Sequence, residues 1–168
     1  MSSQVNENKM KHIFWLLEDQ LCGRSGPNHE PWDANELQAA GVGAVLSVNN
    51  AESVYADDFS AVAMPYRCIP LAANAPPRDG DLELCLERLP MAYEYTLNQI
   101  EFGNSVLVHC RHGKDRTGLF MAYFLRQQLG LCTRDAIERV KMVRPIALTA
   151  EGWEQFAVEV LDLCRVSD

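Results

Sequence analysis

A chain of 168 residues with 48% hydrophobic and 23% charged side chains can close a core without disulfide or metal staples, and one domain spanning 1–168 is expected. The net charge of −8 argues against broad nucleic-acid binding, which needs basic surface to displace counterions. The early apolar run "IFWLL" is too short for a signal-peptide core or a membrane span, so a cytoplasmic, monomeric protein is the expectation. Six cysteines are scattered at positions 22, 68, 85, 110, 132 and 164 with no CxxC or CxxH pair. That pattern reads as free thiols, mostly small core hydrophobes, and gives no metal site.

In chain order, residues 1–9 are polar and read as frayed. "HIFWLL" reads as a strand and "CGRSGPN" after it as turn chemistry. "WDANELQAAG" reads as a short helix, capped by Asp33 with Glu36 in the capping-box position and ended by Gly41. "VGAVLSV" is apolar almost throughout, as in a strand covered on both faces. "AVAMPYRCIPL" reads as another extended segment, with Pro65 placing part of it at an edge or bend. The loop "LAANAPPRDGD" leads into a helix from Leu82 to Ile100, with Pro90 inside it expected to bend it. "SVLVH" reads as a buried strand. "RTGLFMAYFLRQQLG" is apolar on nearly every face as far as Arg126, so it reads as a central helix. Thr133 is positioned to cap a helix running to Arg144, and Thr149 to cap a last helix with the stripe Trp153, Phe156, Ala157, Val160, Leu161 and Cys164. Early alternation of strands and helices, with helices dominating late, predicts an α/β fold whose mostly parallel sheet of four to five strands is flanked by helices.

Between strand and central helix lies Cys110-Arg111-His112-Gly113-Lys114-Asp115-Arg116. Ligands in such folds bind beyond the carboxyl ends of strands, where helix N-termini offer unpaired N–H groups. Curled around one centre, these residues would form an anion nest, with Gly113 allowing a backbone shape that side chains resist. Arg116 could hold two phosphate oxygens with its planar fork. The same N–H dipoles and guanidinium favour Cys110 as a thiolate, a nucleophile for in-line attack on a bound phosphate monoester. Thr117 is placed to donate to the sulfur, and His109 to fix the loop by hydrogen bonds.

"HCRHGKDRTG" fits the H-C-x5-R-[ST]-G signature and so resembles the cysteine-based protein tyrosine phosphatase superfamily, being most similar to its small dual-specificity members. "LCGRSGP" resembles that family's early strand-to-loop segment. "RPIAL" resembles its late Arg-Pro element, with Arg144 bracing the active-site region. The resemblance implies a dual-specificity phosphatase fold, a phosphocysteine intermediate, no metal and no cofactor, acting on a phosphorylated protein or small phosphorylated substrate. "GKDR" also resembles loops that accept inositol phosphates or phosphoinositides, where Lys114 and His112 would add positive charge.

The leaving oxygen needs a proton, so a carboxylic acid is sought near the pocket. "PWD" resembles the Trp-Pro-Asp loop of tyrosine phosphatases, but its order differs. Asp33 lies 77 residues before Cys110 and reads better as a helix cap. The resemblance places the acid on the loop "LAANAPPRDGD". There Asp79 is 31 positions before Cys110 and Asp81 is 29. Asp79 is the first choice, since Asp81 adjoins the helix and suits an N-cap. Aligning "ANAPP" with the Asp-x-x-Pro pattern of some relatives puts Ala73 at the acid position, so a mechanism with no loop acid stays open.

Plainer roles stand beside these. Arg111 can be a solvated loop charge, Lys114 and Asp115 can pair with each other, and Asp115 reads as structural, since a carboxylate facing phosphate would repel it. His12 and His29 carry no signal, and the three tryptophans read as packing residues. "GKD" is no Walker loop, because no Gly stands five positions before Gly113 and Asp115 fills the Ser/Thr slot. The rival functions are a phosphatase of inositol phosphates, a phosphate-binding module with little turnover, and rhodanese-like sulfur or arsenate chemistry.

Overall fold

The computed structural model describes residues 12–27, 29–49 and 56–166, so the opening segment 1–9 lies outside the described residues. In chain order the elements are β1 (Phe14–Leu17), β2 (Leu21–Ser25), α1 (Ala34–Ala39), β3 (Ala44–Ser47), α2 (Ala56–Ala61), β4 (Tyr66–Cys68), α3 (Asp81–Glu101), β5 (Val106–Cys110), α4 (Arg116–Leu129), α5 (Thr133–Val143) and α6 (Trp153–Leu163). Five strands form one sheet in the order β1-β2-β5-β3-β4. Only β1 runs antiparallel, against β2; β2, β5, β3 and β4 are parallel. The expected mostly parallel sheet between helices is therefore present.

The centre of that sheet is β5, which reads "VLVHC" and is buried at every position. Its side chains alternate between two apolar layers. Val106, Val108 and Cys110 join the core built with α3, α4, α5 and α6. Leu107 faces the other way, into a smaller core with Val45, Cys22, Leu37, Phe59 and Met64. A strand apolar on both faces can lie only between two layers of helices. Helix α4 covers the larger face, and all its residues from Thr117 to Leu125 are buried.

Several local expectations are corrected. "LCGRS" is not a turn but the fully buried strand β2. Its backbone is taken up by β1 on one side and β5 on the other, and that pairing overrides the turn preference of Gly23 and Ser25. Gly23 also allows close packing, because a Cβ there would lie 2.5 Å from the Phe14 ring and 2.7 Å from Met121. The segment read as extended from Ala61 onward begins at the end of α2, and its strand is only Tyr66–Cys68. Pro65 sits beside this edge strand, as expected of a residue that cannot donate to a ladder. Neither threonine caps its helix. Cys132 holds the cap position of α5, while the Thr133 hydroxyl donates to Asp162 at 2.6 Å. Gly152 precedes α6, and Thr149 donates to the Ile146 carbonyl at 2.7 Å. Asp33 does cap α1, accepting from the Asn35 N–H at 2.7 Å. Among the described residues, no helix is long and apolar enough to cross a membrane.

Gly23→Val should lower stability by about 1–3 kcal/mol, the usual cost of forcing volume into a packed core. Urea unfolding measures this, and an unchanged midpoint would contradict the close approach of β1, β2 and α4.

Candidate active site

Parallel pairing brings the carboxyl ends of three strands together. Ser25 of β2 lies opposite Cys110, and Ser47 of β3 opposite His109. The chain then leaves the sheet through 111–115 and enters α4 at Arg116. This is the strand-to-helix crossing where α/β folds bind ligands.

The crossing is held from outside. The Arg111 carbonyl accepts from the Gly26 N–H at 2.9 Å. The His112 carbonyl accepts from the Ser25 hydroxyl at 3.0 Å and from Arg144 Nη2 at 2.6 Å. Arg144 Nε donates to the Gly113 carbonyl at 3.2 Å, and the Leu148 N–H to the Lys114 carbonyl at 3.2 Å. A trans peptide sets C=O and N–H on opposite sides. Fastening these four carbonyls outward therefore turns the N–H groups of His112, Gly113, Lys114 and Asp115 away from the outer partners. Gly113 is required on two counts. Its φ is +65°, and a Cβ there would lie 2.5 Å from the Arg24 carbonyl oxygen.

Cys110 is only 2% exposed, and the Thr117 hydroxyl donates to its sulfur at 3.1 Å. Arg116 Nη1 donates to Asn49 Oδ1 at 2.8 Å. His109 is fully buried, with Nδ1 3.4 Å from the Cys110 carbonyl oxygen and its ring edge-on to Trp32. The Arg144 guanidinium also lies over the Phe14 ring at 5.1 Å. Burial lowers the pKa of Arg144 from its ordinary value, with the neighbouring Cys110 acting in the opposite direction. Lys114 turns to its neighbour, donating to Asp115 Oδ2 at 2.9 Å and to Thr149 at 3.4 Å. The other oxygen of Asp115 accepts from the Ala150 N–H at 3.2 Å. Arg111 and His112 are exposed. The His112 ring meets His29 edge-on at 4.5 Å. Partial desolvation of the ring, then the charges of His29, Arg111 and Lys114, lower the pKa of His112, with Asp115 opposing them.

On the loop before α3, the two aspartates differ. Asp81 is buried, and its Oδ2 accepts from the Arg78 N–H at 2.7 Å and from Asn74 at 3.3 Å. It is the first residue of α3 rather than its N-cap, which is Gly80. Asp79 is exposed on the same loop. Trp153 fixes this loop by donating from Nε1 to the Asn74 carbonyl at 2.9 Å. Asp33 is engaged in capping α1. Sequence reading missed Ser25 and Asn49. Their only signal was a small polar residue at the carboxyl end of an apolar strand.

A thiol at a strand end and an arginine six positions on, joined by an outward-tied loop that opens a helix, define a cysteine-dependent phosphatase class. The family model described as the Swiss Army Knife protein DSP-PTPase phosphatase domain (PTP-SAK) matches residues 10–154, and the chain belongs to that family of phosphatases. It is 25% identical over 142 residues to a tyrosine-protein phosphatase of Autographa californica nuclear polyhedrosis virus, covering 83% of this chain and 82% of the viral one. The crystal structure of human DUSP28 superposes with a TM-score of 0.69 at 19% identity, over 89% of this chain and 93% of that one. PTPMT1, solved in complex with PI(5)P, superposes with a TM-score of 0.67 at 14% identity, over 86% and 92% of the two chains.

Gly113→Ala should cost about 1–3 kcal/mol from backbone conformation alone, with the Arg24 contact adding to it. A melting temperature equal to that of the unaltered protein would contradict the tight seating of the loop against β2.

Proposed function

We propose that the protein hydrolyses phosphate monoesters of the protein-tyrosine or dual-specificity type through a phosphocysteine intermediate. The observation that carries this is the Thr117 hydroxyl 3.1 Å from a buried Cys110 sulfur, beside a loop whose carbonyls from Arg111 to Lys114 are fastened outward. The N–H groups of 112–115 and the Arg116 fork hold the three non-bridging phosphate oxygens. Cys110 as thiolate attacks phosphorus in line as the bond to the leaving oxygen breaks. Asp79 gives that oxygen its proton. Water then attacks phosphorus, Asp79 takes the proton back, and the S–P bond breaks to release inorganic phosphate and the thiolate. The Thr117 hydroxyl stabilises the sulfur as it departs. Fixed donors of this kind act without reorganising at the moment of reaction. Arg111, His112, Gly113, Lys114 and Asp115 complete the phosphate-binding loop. Arg144 and His109 support it, with Asp115 acting on Lys114 and the 144–150 segment rather than on substrate.

A second reading is a phosphatase of inositol phosphates or phosphoinositides with the same steps. It is favoured by the exposed Arg111 and by PTPMT1, which was solved with PI(5)P. A panel of phosphopeptides and inositol phosphates separates the two.

Cys110→Ser should reduce turnover of an aryl phosphate by roughly a thousandfold or more, and residual activity near the unaltered level would remove Cys110 as nucleophile. At about pH 6, iodoacetamide should label Cys110 first, with phosphate protecting it. Burial raises the pKa of Cys85 and Cys164 to about 11 in each case, so both should stay unlabelled; labelling of Cys110 no faster than of Cys164 would contradict an activated thiol. Asp79→Asn should slow poor leaving groups by about a hundredfold and good ones much less. Equal effects on both would remove Asp79 as the acid.

A further inference from the structure

The phosphate clamp depends on a residue far from the motif. Asn49 follows β3, is 5% exposed, and its Oδ1 accepts from Arg116 Nη1 at 2.8 Å across 67 positions of chain. Its own backbone is fixed by two strands. The Asn49 N–H donates to the Ser47 hydroxyl and the Asn49 carbonyl accepts from it, both at 3.3 Å. The Cys68 thiol of β4 donates to the same carbonyl at 3.0 Å. Ser47 is fully buried. The amide is thus built in place before any ligand arrives.

A guanidinium is planar, so fixing one of its nitrogens limits the orientation of the remaining donors. The acceptor is also neutral. A carboxylate would orient Arg116 equally well, but it would offset the positive charge that a phosphate dianion needs. A neutral acceptor does the first without the second.

Resting on the phosphatase reading above, we infer that Asn49 is a positioning residue that sets the plane of the Arg116 fork for the phosphoryl oxygens while leaving its charge undiminished. Ser47 and Cys68 hold Asn49, so the carboxyl ends of β3 and β4 contribute to a clamp that the motif alone does not complete.

The test compares the unaltered protein with Asn49→Leu, which keeps volume and removes the acceptor, and Asn49→Asp, which keeps an acceptor and adds charge. Turnover of p-nitrophenyl phosphate and calorimetric binding of orthovanadate are both measured, with melting temperature as the folding control. Asn49→Leu should lower kcat and weaken vanadate binding by roughly ten- to hundredfold, the range for loss of a hydrogen bond to a charged group. Asn49→Asp should restore most of kcat while leaving vanadate binding several-fold weak, a split that a merely structural role would not produce. In an Arg116→Lys background, Asn49→Leu should add less than twofold. A full further loss there, or equal kcat and vanadate affinity in Asn49→Leu and the unaltered protein, would overturn the inference while leaving the phosphatase reading intact. Asn49→Asp, judged on its own, overturns it if vanadate affinity is unchanged. Unaltered protein that neither turns over the aryl phosphate nor binds vanadate would overturn the phosphatase reading itself, and the inference with it.

Discussion

Four consecutive peptide carbonyls, from Arg111 to Lys114, are bonded to partners outside their own loop. Most of the site depends on this constraint. A short chain segment beside a thiol has no reason to point its amide hydrogens in one direction unless its oxygens are claimed from the other. Gly26, just past β2, claims the Arg111 oxygen; Ser25 and Arg144 share that of His112; Arg144 also claims that of Gly113, and Leu148 reaches that of Lys114. Buried or half-buried peptide groups are costly when unpaired, so the outward bonds at buried Gly113 and half-buried Lys114 also remove a reason for the loop to relax.

This constraint explains why pieces far apart in the chain meet here. The strand β2 supplies a wall so close that Gly113 cannot carry a side chain. The Arg144 guanidinium is pinned between the Phe14 ring and the loop oxygens. Lys114, Asp115, Thr149 and Ala150 form a strap on the far side. Cys110 and Arg116 stand at either end of this framework. Each has its own partner, Thr117 for the sulfur and Asn49 for the guanidinium. The framework sets direction, and the two partners fix the Cys110 sulfur and the Arg116 guanidinium.

Much of this was legible along the chain because it is local. Residues 109–118 carry thiol, glycine, arginine and threonine within one strand, loop and helix, and adjacent chemistry announces itself. The cap at Asp33 and the stripe from Trp153 to Leu161 are likewise short-range patterns. What escaped was set by partners distant in sequence. Leu21–Ser25 carries turn residues, and only the ladders to β1 and β5 make it a strand. Thr133 looks like a cap until Asp162, 29 positions away, takes its hydroxyl. Asn49 looks like loop polarity until Arg116 reaches it. Position beside the helix already favours Asp79 over Asp81, but the bonds from Arg78 and Asn74 that hold only the second are not visible in spacing.

The proposed mechanism turns on transfer of the phosphoryl group to the Cys110 sulfur. Rapid denaturing quench during turnover of an aryl phosphate, followed by tandem mass spectrometry, tests it directly. One added phosphoryl group is expected on the peptide carrying Cys110, present at early times and gone when substrate is exhausted. Steady turnover with that peptide unmodified at every time point, or with the phosphoryl group on another residue, would contradict it.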